Sequence, residues 1–270
     1  MLRDITLGQY YPTNSPIHKL DPRVKLLATL VYIISMFLFK TFAGYVVCGI
    51  CLIIVIKISR VPFKFMVKGL KTIWILLGFT LVFNVFFTTG TVIFEWKFIS
   101  ITKEGLITAA FMGMRLFYLI IGSSLLTLTT TPTALTNGLE TGLRWMKKLK
   151  VPVHEISMMM SIALRFIPIL MEETDKIMKA QQARGADFEE GKLIDRVKAL
   201  VPIFIPLFVS AFRRANELAM AMEARCYHGD EGRTRMRPLK YKKNDYICYG
   251  LQAVYVALVI VTDKLVGLIL

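Results

Sequence analysis

Two arginines, each closing a similar stretch of chain, are the side chains here best placed to do something specific. Leu164–Gly185 reads LRFIPILMEETDKIMKAQQARG and ends on Ala183-Arg184-Gly185. Pro206–Cys226 repeats the plan, apolar first and charged later, and ends on Ala224-Arg225-Cys226. Gly185 stands where a helix needs its C-terminal cap. An arginine fork makes bidentate contacts with carboxylates, and a protruding helix end fits a groove on a partner. One such tip alone does no more than complement a helix dipole. Two of them on two similar arms weigh toward docking. Arg115 is a third candidate, an arginine within an apolar block. It is either a functional intramembrane charge or one that pairs with backbone or Asn84, or snorkels.

Other chemistry is missing. His18, His154 and His228 are far apart and have no ligand spacing, and His154-Glu155 lacks the second histidine of a zinc-protease helix. From Gly185 to Gly191-Lys192 the chain is one residue too long for a phosphate loop, and Leu193 stands where magnesium needs Ser or Thr. No Asp or Glu falls inside an apolar block, which removes the usual proton-relay residues of a carrier. The chain is therefore expected to be no enzyme and to bind no cofactor or metal. Any energy it uses must come from a partner.

The elements that carry these arginines follow from composition. Of 270 residues 55% are hydrophobic, mean hydropathy is +0.55, and 34 basic against 19 acidic residues leave a net charge of +15. Ordinary soluble domains are about 45–50% apolar, and here the apolar residues come in blocks with Lys and Arg between them. That arrangement is the positive-inside pattern of a polytopic membrane protein. It is not a nucleic-acid surface, since no nucleic-acid motif accompanies the charge. Leu26–Phe39, Ala43–Ile56, Ile73–Phe87, Gly105–Leu128 and Tyr246–Val261 read as five spans, with Asn84 interrupting the third. The basic residues Lys19, Arg23, Lys25, Lys57, Arg60, Lys64, Lys68 and Lys71 then lie inside. The N-terminus is cytoplasmic and the C-terminus outside, with Thr262, Asp263 and Lys264 beyond the last span. Trp96 is an interface anchor in the outer loop Thr88–Glu104. The first residues are no signal peptide, and Cys48, Cys51, Cys226 and Cys248 form no disulfide framework.

The expected fold is all-α: a membrane domain of four helices over 1–130, a coupling module over 131–243, and a C-terminal span over 244–270. Within the module, Leu135, Leu139, Leu143, Met146 and Leu149 recur at helical spacing opposite Arg144, Lys147, Lys148 and Lys150. They predict an interfacial helix that starts at Thr131-Pro132 and ends at Val151-Pro152. Two arms follow, Val153–Arg184, roughly 48 Å of helix bent at Pro168, and Lys192–Arg225, bent at Pro202 and Pro206. The first arm carries Met158, Met159, Met160, Met171 and Met178, and the second Met220 and Met222. Such side chains serve as core filler, or as a surface that repacks against another membrane protein.

The runs LGQYYPTNSPIHKLDPRVKLL, LRFIPILMEE, AQQARG and AMEARCYHG, in that order, resemble the transmembrane T component of energy-coupling factor (ECF) transporters. The resemblance covers nearly the whole chain. It implies an ABC-type importer in the cell membrane of a prokaryote. In it this subunit joins two cytoplasmic ABC ATPases, which hold the ATP and magnesium, to a membrane-embedded substrate-binding S component. It also implies that Arg184 and Arg225, within Ala183-Arg184-Gly185 and Ala224-Arg225-Cys226, sit in grooves on the ATPases. The coupling helices would offer the S component an apolar surface, assigned to Met158, Met159, Ile162, Met171 and Met220. Cys226 departs from the glycine often found there, which bears on the cap and not on the docking. The N-terminal run is closer to the shared-module type than to the dedicated cobalt or nickel permeases, which implies a vitamin as cargo. The other reading is a self-contained channel or carrier working without ATP. An intramembrane enzyme is weaker still, since nucleophile, base and metal ligands do not cluster.

Overall fold

A computed structural model describes residues 10–39, 41–71, 74–96, 99–186, 193–229, 236 and 238–269. The all-α polytopic class is what it shows. The helices are α1 (Pro22–Leu38), α2 (Phe42–Ser59), α3 (Phe63–Lys71), α4 (Trp74–Phe87), α5 (Lys103–Thr129), α6 (Pro132–Gly142), α7 (Val153–Ala183), α8 (Leu193–Glu223) and α9 (Lys243–Ile269). The segment between α4 and α5 adds one feature unforeseen in the sequence, an antiparallel hairpin of β1 (Val92–Trp96) and β2 (Ile99–Thr102), paired from Val92 with Thr102 to Trp96 with Ile99. Two strands this short organise no core of their own. The chain divides into two compact units, one of residues 8–139 with 239–270, the other of 1–7 with 140–238.

In the first unit α5 packs against α1, α2, α3 and α4, while α9 packs against α1 and α2. α2, α5 and Lys243–Lys264 of α9 are long and apolar enough to cross a membrane, as is α7 of the second unit. α1 has 17 residues and α4 has 14. At about 1.5 Å per residue α1 reaches about 26 Å, close to the thickness of the hydrocarbon layer. Outward faces are bare Leu, Ile and Phe, such as Leu30, Phe37, Phe42, Phe79 and Leu251. That is an exterior suited to lipid. α4 runs unbroken through Asn84, whose Nδ2 donates to the Thr80 carbonyl one turn back at 2.8 Å. The interruption expected there does not occur, because the amide is satisfied along its own helix.

Polar groups in this unit tie helices together. Tyr32 donates its hydroxyl to the Tyr118 carbonyl at 2.9 Å. This closeness requires Gly122, since a β-carbon there would overlap the Tyr32 ring. Ser35 and Tyr255 share a hydrogen bond of 2.8 Å between α1 and α9. Arg115, midway along α5, donates Nε to the Tyr45 hydroxyl at 3.0 Å, with its guanidinium 5.5 Å from the Phe37 ring centre. Its partner is thus a tyrosine of α2 and not Asn84. The four cysteines are free, with Cys48 fully buried.

Helix α9 carries an aspartate near each end, and each one holds the head of another helix. Asp245 is 1% exposed. Its Oδ2 accepts the Lys242 N–H at 2.7 Å, capping its own helix. Its Oδ1 accepts the Asp21 N–H at 2.9 Å, at the head of α1. At the other end Asp263 Oδ1 accepts both the N–H and the hydroxyl of Thr41, at 3.1 and 2.7 Å, just before α2. The two acids are eighteen residues apart on α9, about 27 Å of helix, which matches the height of a bilayer core. So Thr262, Asp263 and Lys264 belong to the helix and do not trail beyond it, because the carboxylate is needed at the mouth of the α1–α2 hairpin.

Asp21 in turn caps α1 through the Arg23 N–H at 2.9 Å and pairs with the Arg23 guanidinium, also at 2.9 Å. Burial pushes the Asp21 carboxyl up, but those bonds outweigh it and hold it below its ordinary value. Arg23 lies over the Tyr241 ring, 4.0 Å from its centre. Lys25, 7% exposed, gives its ammonium to the carbonyls of His18 and Thr129 at 3.2 and 2.9 Å. Asp21, Arg23, Lys25 and Asp245 are thus all matched at this corner.

Candidate functional site

The second unit holds the arms. α6 starts as expected, with Thr131 as its cap: its hydroxyl accepts the Ala134 N–H at 3.3 Å, and Pro132 is the first helical residue. The long interfacial helix does not continue to Leu149. It ends at Gly142, a poor helix former, and Arg144–Leu149 follows as a 3-10 helix. Glu140 then fastens the end of α6 to the first turns of α7. One of its oxygens meets His154 Nδ1 at 3.1 Å, and the other accepts the Ser157 hydroxyl at 2.8 Å.

α7 and α8 have 31 residues each. α7 is continuous through Pro168 and α8 through Pro202 and Pro206, so none of these prolines ends a helix. Two contacts fix how the arms lie against each other. Glu173 accepts the Ser210 hydroxyl and, at 3.1 Å, Arg214 Nη2. Further along, Gln181 Nε2 donates to the Pro202 carbonyl at 3.4 Å. That carbonyl is available for a local reason. Its helical partner would be the N–H of residue 206, and proline has none. Both contacts obey one antiparallel register, which sets Arg225 level with residue 158 of α7. The tips are therefore at opposite ends of the pair, separated by about 26 residues, or about 39 Å along the axis.

The two tips end in the same way. After α7, the Gly185 N–H donates to the Gln182 carbonyl at 2.9 Å and the Ala186 N–H to the Gln181 carbonyl at 3.0 Å. After α8, the Cys226 N–H donates to the Glu223 carbonyl at 2.9 Å and the Tyr227 N–H to the Met222 carbonyl at 3.1 Å. Both are Schellman closures, with Arg184 and Arg225 in the equivalent position and the next residue left-handed. Gly185 has φ +88° and Cys226 φ +57°. Cysteine adopts the glycine conformation at a cost of about 1 kcal/mol, and the cap survives the replacement. His228 Nδ1 donates to the Cys226 carbonyl at 2.7 Å, closing the turn from outside. Ala183, Arg184, Ala224, Arg225 and Cys226 are all exposed. Neither guanidinium has an ion-pair or hydrogen-bond partner among the described residues.

The methionine surface is more divided than the sequence implied. Met159 and Met220 are 58% and 61% exposed, while Met158, Ile162 and Met171 are partly covered. A broader bare face in this unit lies on α8, among the described residues: Phe204, Ile205, Phe208, Val209 and Phe212 are each more than half exposed. Phenylalanines at i, i+4 and i+8 were the signal for it, hidden by Pro202 just before it and Pro206 within it. On the opposite side Ile203 is buried and Ser210 faces Glu173.

Several readings fall outside the described residues: the turn from 187 to 192, including Gly191 and Lys192, the tail positions 230–235 and 237, and Ile73. Of Trp96, the backbone in β1 is described and no more.

Comparison with known proteins identifies the family of the chain. The family model described as cobalt transport protein, CbiQ, matches residues 13–236. An energy-coupling factor transporter transmembrane protein EcfT of Clostridium kluyveri is 58% identical, over 92% of each chain. The protein of that name from Ruminiclostridium cellulolyticum is 53% identical over 97% of this chain and 98% of its own. The one from Bacillus subtilis is 50% identical over 91% and 93%. Half or more of the residues are thus shared across nearly full length, and the chain belongs to the CbiQ family, among the EcfT transmembrane components of energy-coupling factor transporters.

Proposed function

We propose that this membrane subunit docks two cytoplasmic ATPases through Arg184 and Arg225 and passes their motion to a membrane-embedded S component. The observation that carries this reading is the pair of identical, exposed arginine caps at opposite ends of one antiparallel helix pair. A spacing of about 39 Å suits two separate grooves better than a single one. ATP and magnesium belong to the ATPases, which hydrolyse the nucleotide; this chain supplies leverage. When the ATPases close, their grooves approach each other and the caps move with them. The arms are tied by Glu173 with Ser210 and Arg214, and by Gln181 with Pro202. Such a contact can slide as a unit.

The S component would rest on the apolar face of α8 centred on Phe208, with Met159 and Met220 as outlying contacts. Movement of that face would reorient or release it. The N-terminus is cytoplasmic and the C-terminus external in this reading. A vitamin or similar micronutrient is the cargo, chosen by the S component.

The test is charge reversal at both tips. The Arg184→Glu/Arg225→Glu chain should reach the membrane in normal amount and no longer copurify with the ATPases. Unchanged copurification would overturn the proposal. Substrate uptake into liposomes by the purified chain alone would favour the self-contained carrier.

A further inference from the structure

The 3-10 helix Arg144–Leu149 and the residue after it, Lys150, take no part in the docking described above. Leu143, Arg144, Trp145, Lys147, Lys148, Leu149 and Lys150 are all exposed, with Trp145 at 61% and Leu149 at 65%. A bare tryptophan and a bare leucine among cations are expensive in water. Their arrangement is orderly. A 3-10 helix turns once every three residues, so positions i and i+3 eclipse. Arg144 and Lys147 stack in one row, Met146 and Leu149 in a second, and Trp145 with Lys148 in a third. Lys150 has φ +60°, and its N–H closes on the Lys147 carbonyl at 3.1 Å. That left-handed turn stops the helix and puts one more cation at its end. The tighter winding puts a cationic row and an apolar row on either side of a row in which Trp145 stands beside Lys148.

We infer that this segment is a binding site for anionic phospholipid at the cytoplasmic face of the membrane. Arg144 follows Thr129, the last residue of the spanning helix α5, by only fifteen positions. Basic residues so close to a span end lie at the cytoplasmic headgroups. Tryptophan prefers that depth, with its ring among the upper acyl chains and its N–H toward the headgroups. Arginine and lysine contact the phosphate, and an anionic headgroup adds a net charge that a zwitterionic one lacks. A soluble acidic partner would satisfy the cations and leave Trp145 and Leu149 exposed. Lipid meets the cations and the apolar side chains at once. The site is independent of the ATPase reading, since it requires only that α5 crosses the membrane and ends on its cytoplasmic side.

The experiment uses the full chain in phosphatidylcholine vesicles containing a minor fraction of lipid brominated near the top of its acyl chains. That lipid is either phosphatidylglycerol or phosphatidylcholine. Tryptophan fluorescence is read, and the Trp145→Phe protein, measured in parallel, isolates the Trp145 signal by difference. Brominated phosphatidylglycerol should quench Trp145 strongly at a fraction where brominated phosphatidylcholine scarcely does. The Arg144→Gln/Lys148→Gln/Lys150→Gln protein should lose that preference, by roughly fivefold in apparent affinity per cation. About 1 M salt, where the Debye length falls to about 3 Å, should weaken it in the unmodified chain without any substitution. Equal quenching by the two lipids would overturn the site as one for anionic lipid. No quenching by either would show that the segment meets water or protein instead.

Discussion

The two units use their polar side chains in opposite ways. In the first, acids and bases are consumed internally. Asp245 and Asp263 hold the heads of α1 and α2 from the two ends of α9, Asp21 holds Arg23, and Lys25 is spent on two carbonyls. In the second, the cations with the most regular placement, Arg184 and Arg225, have no partner among the described residues, and the phenylalanines of α8 are bare. A charge left unmatched in hydrocarbon is costly for a spanning bundle, so the ionic chemistry here is architectural. A unit made to be gripped leaves its chemistry on the outside. The contrast separates the residues that hold this protein together from those that meet something else, without any bound partner in view.

The largest effect expected from breaking that contrast is at the tips. Arg184→Glu with Arg225→Glu should abolish ATPase association while the thermal midpoint in detergent stays within about 2 °C of the parent, because exposed surface substitutions cost little. Copurification reads the first and a thermal scan the second. Asp245→Ala should do the reverse. It strands the Asp21 and Lys242 N–H groups and removes one of the two acids that act on Lys25, a cost of about 3 kcal/mol. Less protein would be recovered folded, and what is recovered would still bind ATPases.

A smaller and more selective loss is expected at Phe208→Glu. A charge in the centre of the α8 face should weaken S-component binding about tenfold or more, with the ATPases retained, as read by the ratio of copurified subunits. The least effect concerns the caps. Cys226→Gly should raise stability by about 1 kcal/mol, since glycine enters the left-handed region freely. Gly185→Ala should lower it by about 1 kcal/mol. In thermal scans these are opposite shifts of about 2 to 4 °C, and shifts of the same sign would contradict the claim that the two caps share one geometry.

How much was legible in the sequence follows the range of the forces involved. The apolar runs of α2, α5 and α9 were visible because burial in lipid demands length, whereas α7, also long and apolar enough to cross, was read as an arm because its second half is charged. The tips were visible because a Schellman closure is local and fits in six residues. Cys226 was readable as a departure, but its left-handed φ depends on hydrogen bonds from Tyr227 to Met222 that no motif declares. The acid ties of α9 were invisible: Asp245 meets Asp21, and Asp263 meets Thr41, across more than two hundred residues. A polar triplet at the end of an apolar run, Thr262 to Lys264, looked like the end of the helix for that reason. The break at Gly142 was hidden by a leucine periodicity that continues past it, and the α8 face by prolines whose lost hydrogen bond is answered from the other arm, by Gln181.

The most direct test of the central claim is a pull-down of the tagged chain from its native membranes, in mild detergent and at low salt, with every copurifying protein identified. The account predicts two ABC ATPases together with one or more small membrane proteins, whose identities would name the cargo. A chain that comes down alone under those conditions would contradict it.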